Sequence, residues 1–258
     1  MNWSEQTALV TGASRGLGRA IARRLAREGA ALCVNYLIRR AEAEALVNEI
    51  RAAGGRAIAA RADVGDPAQV EEMMAAIQAE LGPPSILVNN AGAIYRATLE
   101  TFDAAGMERM RRTNVDGLIH VTRAAMSGMK ARRYGRIVNL GSIAGHGTTL
   151  PGSAFYAATK AAVAVLTRRF AMELGPCGIT VNAVAPGFIQ TDMVQEGRTP
   201  EEHARLIRTI QEHSMLGRVG SPDDIAHAVA FLAAPESGFI TAQVITVDGG
   251  RMDYIGHP

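Results

Sequence analysis

Tyr156 and Lys160 are the residues of this sequence whose types and spacing best fit acid–base chemistry. They lie four positions apart in SAFYAATKAAVAVL, a segment of helical pattern, so both side chains are expected on one helix face. A neighbouring ammonium favours the phenolate and brings a phenol pKa of about 10 towards the range of an acid–base catalyst. A surface tyrosine packed against a lysine stem gives the same spacing, so the pair needs support from elsewhere in the chain.

Ser142 is a third residue with the means to act on a substrate. It ends RIVNLGS (136–142), an apolar segment that predicts a strand, and α/β sheets bind ligands at the carboxyl ends of their strands. A hydroxyl at this edge can hydrogen-bond a carbonyl or alcohol oxygen. The six histidines show no HExxH spacing, and Cys33 and Cys177 show no CxxC spacing, so no metal site is predicted.

A glycine-rich turn, TGASRGLG (11–18), follows the first predicted strand and leads directly into a helix. Glycine lets the backbone turn tightly and approach a phosphate, and the N–H groups at a helix start attract an anion. Any such turn can need glycine, but a GxxxGxG spacing at the first strand–helix junction of a βαβ pattern favours a dinucleotide site. The predicted cofactor-binding residues here are Gly12, Ser14, Arg15, Gly16, Leu17 and Gly18.

The charge pattern after the second predicted strand (31–36) indicates which dinucleotide is bound. NAD sites usually carry an acid at the end of this strand, whereas here it ends in VNY and is followed by Arg39 and Arg40, with Arg15 in the glycine turn. Guanidinium groups suit a 2′-phosphate, so NADP(H) is predicted in preference to NAD(H), unless Arg39 and Arg40 merely begin a solvated helix. The residues assigned to this contact are Asn35, Tyr36 and Arg39.

Short apolar runs alternate with longer amphipathic ones, which predicts a parallel sheet covered by helices on both faces. The predicted strands are 7–12, 31–36, 57–64, 86–92, 136–142, 179–187 and 243–250. The predicted helices are 17–28, 40–53, 67–81, 103–131, 153–174 and 222–234. No linker divides the sequence, so residues 1–258 are predicted to form one domain. An irregular stretch at 190–215, with Gly197 and Pro200, is predicted to be a mobile substrate lid.

Composition and charge exclude several classes of protein. The chain is 48% hydrophobic and 20% charged, which suits a packed core. Its net charge is +2, with 27 basic residues scattered among 25 acidic ones, so neither nucleic-acid binding nor a polybasic membrane anchor is expected. The start, MNWSEQTALV, has no apolar signal core, and no run approaches the roughly 18 apolar residues of a membrane span, so a cytoplasmic protein is predicted.

Taken in order, the motifs resemble those of the short-chain dehydrogenase/reductase family over essentially the whole chain. The matching segments are TGASRGLG, Asn89-Asn90-Ala91-Gly92, Asn114, Ser142, Tyr156-Ala157-Ala158-Thr159-Lys160 and Pro186-Gly187. The resemblance implies a single Rossmann-type, doubly wound α/β domain with a seven-stranded parallel sheet and helices on both faces. It also implies a catalytic set of Asn114, Ser142, Tyr156 and Lys160.

On that resemblance, Tyr156 would give a proton to a carbonyl oxygen during reduction, or take one from an alcohol during oxidation. Lys160, together with the oxidised nicotinamide ring, would lower the pKa of Tyr156, and it would bond the nicotinamide ribose; Ser142 would hold the substrate oxygen. Asn114 would anchor a water linking Lys160 to solvent, the alternative being a plain polar residue inside a helix. Further cofactor contacts are implied for Asp63 (otherwise a turn aspartate), Val64, Asn90, Ala91, Gly92, Pro186, Gly187, Ile189 and Thr191.

Within the family the chain looks most like the 3-oxoacyl-(acyl-carrier-protein) reductases, through GRIVNLGSIAG, GITVNAVAPGFIQTDM, GRVGSPDDIA and ITVDGG. Glucose dehydrogenases and acetoacetyl-CoA reductases share these segments. Arg133 stands at one position where the family docks the acidic carrier protein, but Cys177 replaces the base that is usual at the second. This departure argues against an acyl carrier protein as partner and leaves a free ketone or alcohol substrate open.

The leading hypothesis is an NADPH-dependent carbonyl reductase acting on a small-molecule ketone, with a 3-oxoacyl thioester as the first candidate. An NAD(P)-dependent alcohol or sugar dehydrogenase is the alternative in the same class, and a non-catalytic nucleotide-binding sensor is the alternative outside it. A homotetramer is implied by the resemblance, with RMDYIGHP (251–258) reaching towards a neighbouring subunit. The residues expected to line the substrate pocket, or to pack the lid, are Met193, Val194, Ile207 and Met215.

Overall fold

Seven parallel strands form the centre of the computed structural model, which describes residues 2–148, 151–191 and 199–251. They lie in the order β3-β2-β1-β4-β5-β6-β7, so the carboxyl ends of β1 and β4 are side by side where the strand order reverses. The predicted doubly wound α/β fold is confirmed. The strands are β1 Thr7–Val10, β2 Ala31–Tyr36, β3 Ala57–Arg61, β4 Ile86–Asn89, β5 Gly135–Leu140, β6 Ile179–Pro186 and β7 Val244–Val247.

Helices cover both faces of the sheet. Apolar side chains of α1, α2 and α8 pack on one face, and those of α3, α5 and α6 pack on the other. Alternate residues of β1 point into the two cores, Ala8 and Val10 into the first and Leu9 into the second, which explains why the strand is apolar throughout. None of the helices in the described ranges is long and apolar enough to cross a membrane. The helices are α1 Gly16–Glu28, α2 Arg40–Ala52, α3 Pro67–Glu80, α4 Ala104–Arg111, α5 Gly117–Arg132, α6 Ala154–Leu174, α7 Pro200–Glu212 and α8 Pro222–Ala233.

Several strands end earlier than predicted. The segments predicted as 57–64 and 86–92 leave the sheet after Arg61 and Asn89. The residues that follow belong to loops at the carboxyl edge of the sheet. Because several of them are small or apolar, composition does not distinguish these loops from strands. Five predicted cofactor-binding residues lie in these two loops: Asp63, Val64, Asn90, Ala91 and Gly92.

The single helix predicted over 103–131 is interrupted, which corrects the prediction. α4 passes into a π-helical turn, Arg112–Asp116, before α5 begins at Gly117. Such turns commonly occur at functional sites, and this one carries Asn114. A Cβ built on Gly117 would come within 2.6 Å of Cγ2 of Val64, so glycine is what lets α5 start this close to the loop after β3.

The stretch predicted to be irregular, 190–215, is a regular helix over most of its second half, so that part of the prediction is wrong. The hydroxyl of Thr199 accepts a hydrogen bond from the N–H of Glu202, and the Glu202 carboxylate accepts one from the N–H of Thr199. A proline inside a helix would break it. Pro200, however, stands at the first helical position, where its missing N–H has no partner to bond and its fixed φ suits the helix. Residues 192–198, including Met193 and Val194, and residues 252–258 lie outside the described part of the chain.

Candidate active site

The glycine turn between β1 and α1 forms a cradle that a side chain would fill. Gly12 and Gly16 have φ of +61° and +56°, which residues with a side chain rarely adopt. A Cβ built on Gly12 would lie 2.9 Å from the Cα of Ala91, and one built on Gly18 would lie 2.5 Å from the carbonyl oxygen of Gly12. The turn therefore needs glycine at these positions to pack against the loop after β4.

The start of α1 is arranged to receive an anion. No side chain caps it in the structure as described, and its first turn, after Arg15, holds no acid. In contrast, α3, α4, α7 and α8 have side-chain caps, from Asp66, Asp103, Thr199 and Ser221. An uncapped, positively polarised helix end beside a glycine cradle fits the phosphate groups of a dinucleotide. In the same turn Ser14 is buried and Leu17 is half-buried.

Asn35, buried at the end of β2, supports the turn from inside the protein. Its Oδ1 accepts a hydrogen bond from the N–H of Gly12 at 3.1 Å, and its Nδ2 donates to the carbonyl oxygens of Ala60 and Ala62 at 3.3 and 3.2 Å. Tyr36 is also buried. The structure therefore places the Asn35 side chain beneath the turn and Tyr36 in the apolar core, and the direct cofactor contact predicted for them stays a prediction.

Asn90 ties the end of β4 to the same turn. Its Nδ2 donates to the carbonyl oxygens of Thr11 and Gly12 at 2.8 and 3.0 Å. The hydroxyl of Thr11 in turn accepts hydrogen bonds from the backbone N–H groups of Asn90 and Ala91 at 3.0 and 2.9 Å. The two loops on either side of the strand-order reversal are thereby joined into one wall.

Arg15 and Arg39 flank the edge where the adenosine end of the cofactor is predicted, and an acid accompanies them. The Glu42 carboxylate lies 3.1 Å from Nη1 of Arg39. Its pKa is lowered by its own backbone N–H, by the hydrogen bond from Arg39 and by the charge of Arg15. The strand itself ends without an acid, as the sequence indicates, but Glu42 of α2 brings a carboxylate to this edge. The two side chains meet because the first turn of α2 places Glu42 on the same side as Arg39, which precedes it by three residues.

Asp63 and Val64 follow β3 at this edge of the sheet. The Asp63 carboxylate accepts a hydrogen bond from the N–H of Gly65 at 2.9 Å and lies 3.3 Å from Nη2 of Arg112. The turn-forming role considered as an alternative for Asp63 is thus present. Val64 is buried, with its carbonyl oxygen 3.2 Å from Nδ1 of His120. Contact of either residue with the cofactor stays a prediction.

Ser142, Tyr156 and Lys160 meet where β5 ends and α6 begins. The Ser142 hydroxyl is hydrogen-bonded to the Tyr156 side chain and accepts the backbone N–H of Ala144 at 3.1 Å. The Nζ of Lys160 donates to the carbonyl oxygen of Leu140 at 2.8 Å and lies 5.7 Å from the centroid of the Tyr156 ring. Three of the four residues predicted to be catalytic therefore share one site, at the carboxyl edge of the sheet.

Burial and charge act in opposite directions on the phenol. Burial raises the pKa of Tyr156, whereas the hydrogen bond with Ser142 and the positive charge of Arg96 lower it. Burial also lowers the pKa of the Lys160 ammonium to about 8. In the protein without cofactor, the positive charge of Arg96 is thus one cause of a lower Tyr156 pKa, and the same effect predicted for Lys160 stays a prediction. Arg96 is a site residue that the sequence analysis missed; a lone cation soon after the NNAG segment was the available signal.

Asn114 joins the loop after β4 to α6 through its side-chain amide. Its Oδ1 accepts the N–H of Ala93 at 2.8 Å, and its Nδ2 donates to the carbonyl of Ala93 at 2.9 Å and to the hydroxyl of Thr159 at 3.0 Å. That hydroxyl donates to the carbonyl oxygen of Tyr156 at 2.8 Å. Asn114 therefore positions the helix that carries Tyr156, and its role in a water relay stays a prediction.

A small polar cavity of about 10 Å³ adjoins Lys160 and Asn114. Its size is close to that of one water molecule. Asn89 lines it, and the buried Oδ1 of Asn89 has no hydrogen-bond partner among the residues described, while its Nδ2 donates to Thr122 and Asn139. No role was predicted for Asn89, although a polar residue at the end of an apolar strand was an available signal.

The segment after β6 closes the other side of the site. Ile189 is buried and pairs with Gly220, and Gly187 is packed too tightly for a side chain. Thr191 faces the glycine turn, since its Cγ2 lies 3.9 Å from a Cβ built on Gly16. Thr191, for which a cofactor contact is implied, thus lies beside the turn predicted to bind the phosphates.

The outer wall of the site is partly apolar. The ring of Phe155, the residue before Tyr156, packs against that of Phe102 in a tilted arrangement with centroids 4.8 Å apart. Met215 is exposed and lines a cleft with Ile189, whereas Ile207 is half-buried on α7. Two of the four residues expected in the substrate pocket or lid are thereby located.

Comparisons with known proteins agree with this geometry. A family model described as enoyl-(acyl carrier protein) reductase matches residues 12–251. The 3-oxoacyl-[acyl-carrier-protein] reductase FabG of Staphylococcus aureus strain Mu50 is 42% identical over 245 residues, which cover 95% of this chain and 97% of the relative.

Solved structures show the same likeness. A variant of a Serratia marcescens short-chain dehydrogenase/reductase superposes with a TM-score of 0.88 at 35% identity, covering 95% of this chain and 97% of that one. A Burkholderia cenocepacia gluconate 5-dehydrogenase in complex with NADP and tartrate superposes with a TM-score of 0.87 at 35% identity, covering 95% and 94%. Sheet order, glycine turn and the Ser142, Tyr156 and Lys160 cluster agree with an oxidoreductase that acts on CH–OH or C=O groups with a nicotinamide cofactor. The chain belongs to the short-chain dehydrogenase/reductase family.

Proposed function

We propose that the protein is an NADPH-dependent carbonyl reductase in which Tyr156 gives its proton to the carbonyl oxygen. The observation that carries the proposal is the meeting of Tyr156, Ser142 and Lys160 at the carboxyl edge of β5. The nicotinamide cofactor supplies the hydride when it is bound. Loss of the phenolic proton to the substrate oxygen completes the reduction to an alcohol.

Each of these side chains has a separable task in the proposal. The hydroxyls of Ser142 and Tyr156, already hydrogen-bonded to each other, hold the substrate oxygen on which negative charge develops. The Lys160 ammonium, 5.7 Å from the ring, stabilises the phenolate that remains. With a pKa of about 8, Lys160 can return a proton to the phenolate near neutral pH. The cavity beside Asn114 would hold the water through which Lys160 is reprotonated.

The proposed preference for NADPH rests on charge at the adenosine edge. The start of α1, with Gly12 and Gly16, would hold the pyrophosphate, while Arg15 and Arg39 would hold the 2′-phosphate. The carboxylate of Glu42, 3.1 Å from Arg39, opposes this in part. The gluconate 5-dehydrogenase of similar fold, solved with NADP, supports the same choice.

A 3-oxoacyl thioester is the first candidate substrate, on the strength of 42% identity to a 3-oxoacyl-[acyl-carrier-protein] reductase. Docking of the carrier protein itself is not part of the proposal. The Arg133 guanidinium donates to the carbonyl oxygen of Pro176 at 3.1 Å, and neighbouring Cys177 supplies no second cation. We expect a homotetramer, as in many members of the family.

An alcohol or sugar dehydrogenase is the second candidate function. It is favoured by the superposition on a gluconate 5-dehydrogenase over 95% of this chain. A non-catalytic nucleotide sensor is disfavoured, because such a protein has no need of Ser142, Tyr156 and Lys160 together.

A spectrophotometric screen tests the proposal. NADPH and NADH are each paired with acetoacetyl-CoA and simple ketones, and NADP⁺ and NAD⁺ with sugars and secondary alcohols. We expect NADPH oxidation with acetoacetyl-CoA or a ketone. Activity confined to sugars would replace the first candidate by the second, and a clear NADH preference would refute the charge argument.

Tyr156→Phe tests the proton donor. Removing the phenolic proton should lower kcat at least a hundredfold, since general acid catalysis contributes about 10²–10⁴-fold, and should leave NADPH binding unchanged. Tyr134→Phe is the matched control, because its buried hydroxyl lies outside the site and has no hydrogen-bond partner in the described ranges. Full turnover by Tyr156→Phe on every substrate found would show that another group donates the proton.

A further inference from the structure

Arg96 lies in the loop after β4, close to the segment that leads into Tyr156, and it has no role in the proposed proton transfer. The next residue, Ala97, donates its N–H to the carbonyl oxygen of Gly152 at 3.1 Å. A Cβ built on Gly152 would lie 3.9 Å from the Cβ of Arg96. Gly152 is four residues before Tyr156, so the loop that carries Arg96 is held against the segment that leads into the proposed proton donor.

The same loop is also fixed on its far side. The Tyr95 hydroxyl accepts the N–H of Asp103 at 2.8 Å and donates to the carbonyl oxygen of Thr101 at 3.2 Å. The Phe102 ring packs against that of Phe155, the residue before Tyr156. The backbone at Arg96 therefore has a defined position relative to the phenol, as a residue that recognises part of a substrate needs.

The guanidinium of Arg96 is available to a ligand. It is exposed and makes no ion pair or hydrogen bond within the described part of the chain. The nearby Asp103 carboxylate is occupied by the N–H groups of Ala105 and Gly106. The charge of Arg96 nevertheless acts on Tyr156, lowering the pKa of the phenol against the effect of burial. The Arg96 guanidinium thus has N–H donors available for a ligand, and its charge is close enough to the Tyr156 hydroxyl to affect its pKa.

We propose that Arg96 binds a carboxylate that the substrate carries a few bonds from its reacting carbonyl. The preferred substrates are then oxo acids and the corresponding hydroxy acids, an inference that rests on the proposed function because it needs a carbonyl at Tyr156. The paired N–H donors of a guanidinium match the two oxygens of a carboxylate. Ile94 and Phe102, 44% and 47% exposed on the same loop, offer apolar surface to the carbon chain between the two polar ends.

The phosphate groups of a thioester carrier are a poorer match for Arg96. A pantetheine arm separates them from the acyl carbonyl by many bonds, whereas Arg96 acts on the phenol at which the carbonyl is reduced. A thioester fits this site when its acyl part itself bears a free carboxylate. For both candidate functions, reductase and dehydrogenase, the expected substrates therefore carry a carboxylate near the reacting carbon.

Levulinate and methyl levulinate, which differ only in a free or esterified carboxylate, test the proposal with NADPH. For the wild-type enzyme, kcat/KM should be higher for levulinate than for its ester. Arg96→Gln should lower the levulinate value about ten- to a hundredfold, as expected for loss of a charged hydrogen bond, and change the ester value less than threefold. Arg27→Gln, which removes an exposed cation at the far end of α1, should preserve the preference. Equal rates on both probes, or a preference retained in Arg96→Gln, would overturn the proposal.

Modification by phenylglyoxal gives a readout without turnover. Arg96 should react in the wild-type protein, and levulinate should protect it while methyl levulinate does not, as mass spectrometry of the Arg96 peptide would show. Absence of protection would refute the anion site even if ketones are reduced. Protection in a protein that reduces no carbonyl would instead leave the anion site standing and refute the proposed function, so the two failures are distinguishable.

Discussion

Among single residues, Lys160 shows most clearly that a group placed for catalysis can lower the stability of the fold. Its side chain is buried, and its Nζ donates to the carbonyl oxygen of Leu140. Burial disfavours the charged form and lowers the pKa of the ammonium from 10.5 to about 8. The folded protein therefore holds this proton less tightly than the unfolded chain does, and the ammonium opposes folding below pH 8.

Lys160→Met should be inactive yet more stable than the wild type at pH 7. The difference in pKa corresponds to at most about 3 kcal/mol of unfolding free energy, reduced by the lost hydrogen bond to Leu140. Because the unfolded chain binds more protons between the two pKa values, the wild type gains stability as pH rises from 8 towards 10.5, and the advantage of the variant should shrink. Urea unfolding at pH 7 and pH 10 measures this.

Lys130→Met, at an exposed position on α5, is the control and should show no such dependence on pH. A Lys160→Met protein that is less stable than the wild type at pH 7, with a deficit independent of pH, would contradict the argument. It would mean that the ammonium is stabilised in the fold beyond its bond to Leu140.

Between elements, the ends of β1, β2 and β3 are joined by one amide. The Asn35 side chain bonds the N–H of Gly12 and the carbonyl oxygens of Ala60 and Ala62. These groups are buried or half-buried, so no strong substitute partner is at hand. The shape of the glycine turn therefore depends on a residue of the neighbouring strand.

Asn35→Ala should destabilise the protein by about 2–3 kcal/mol, because it leaves several buried polar groups without partners. It should also weaken NADPH binding, since Gly12 is no longer held in its left-handed conformation. Urea denaturation and a fluorescence titration with NADPH measure the two effects. Asn48→Ala, on the exposed face of α2, should change neither. Unaltered NADPH affinity in a destabilised Asn35→Ala protein would show that the turn keeps its shape unaided.

For the molecule as a whole, a bound dinucleotide would connect the two halves of the sheet. The glycine turn belongs to the β1–β3 half, whereas Thr191 follows β6 in the other half, and its Cγ2 lies 3.9 Å from a Cβ built on Gly16. A ligand that binds the folded state alone stabilises the entire fold by mass action. Thermal unfolding of the whole protein is therefore a measure of cofactor selectivity.

NADPH at a hundred times its dissociation constant should raise Tm by about 5–10 °C, and NADH at the same concentration should raise it less. Glu42→Gln should widen that gap, because it releases Arg39 from its ion pair and removes the charge that repels a 2′-phosphate. Glu173→Gln, at an exposed position late in α6, should leave the gap unchanged. A larger shift with NADH than with NADPH would refute the preference.

The sequence by itself determined the fold and most of the site. Alternating apolar runs predicted the strands and helices, and the glycine spacing, Ser142 and the Tyr156–Lys160 pair predicted the ligand edge. These signals are local, because periodicity, turn chemistry and a four-residue helical spacing each act within one helix, strand or turn. Within one family, their order along the chain was enough to place the proposed catalytic residues together.

Only the tertiary structure decided what surrounds Tyr156. The π-helical turn at Asn114, the return of Glu42 to Arg39 and the contact between the Arg96 loop and Gly152 are absent from any local pattern. The direction of the pKa of Tyr156 depends on the balance of burial against Ser142 and Arg96. Burial and charge are set by packing between segments far apart in the chain, so these features follow from the folded arrangement and not from residue spacing.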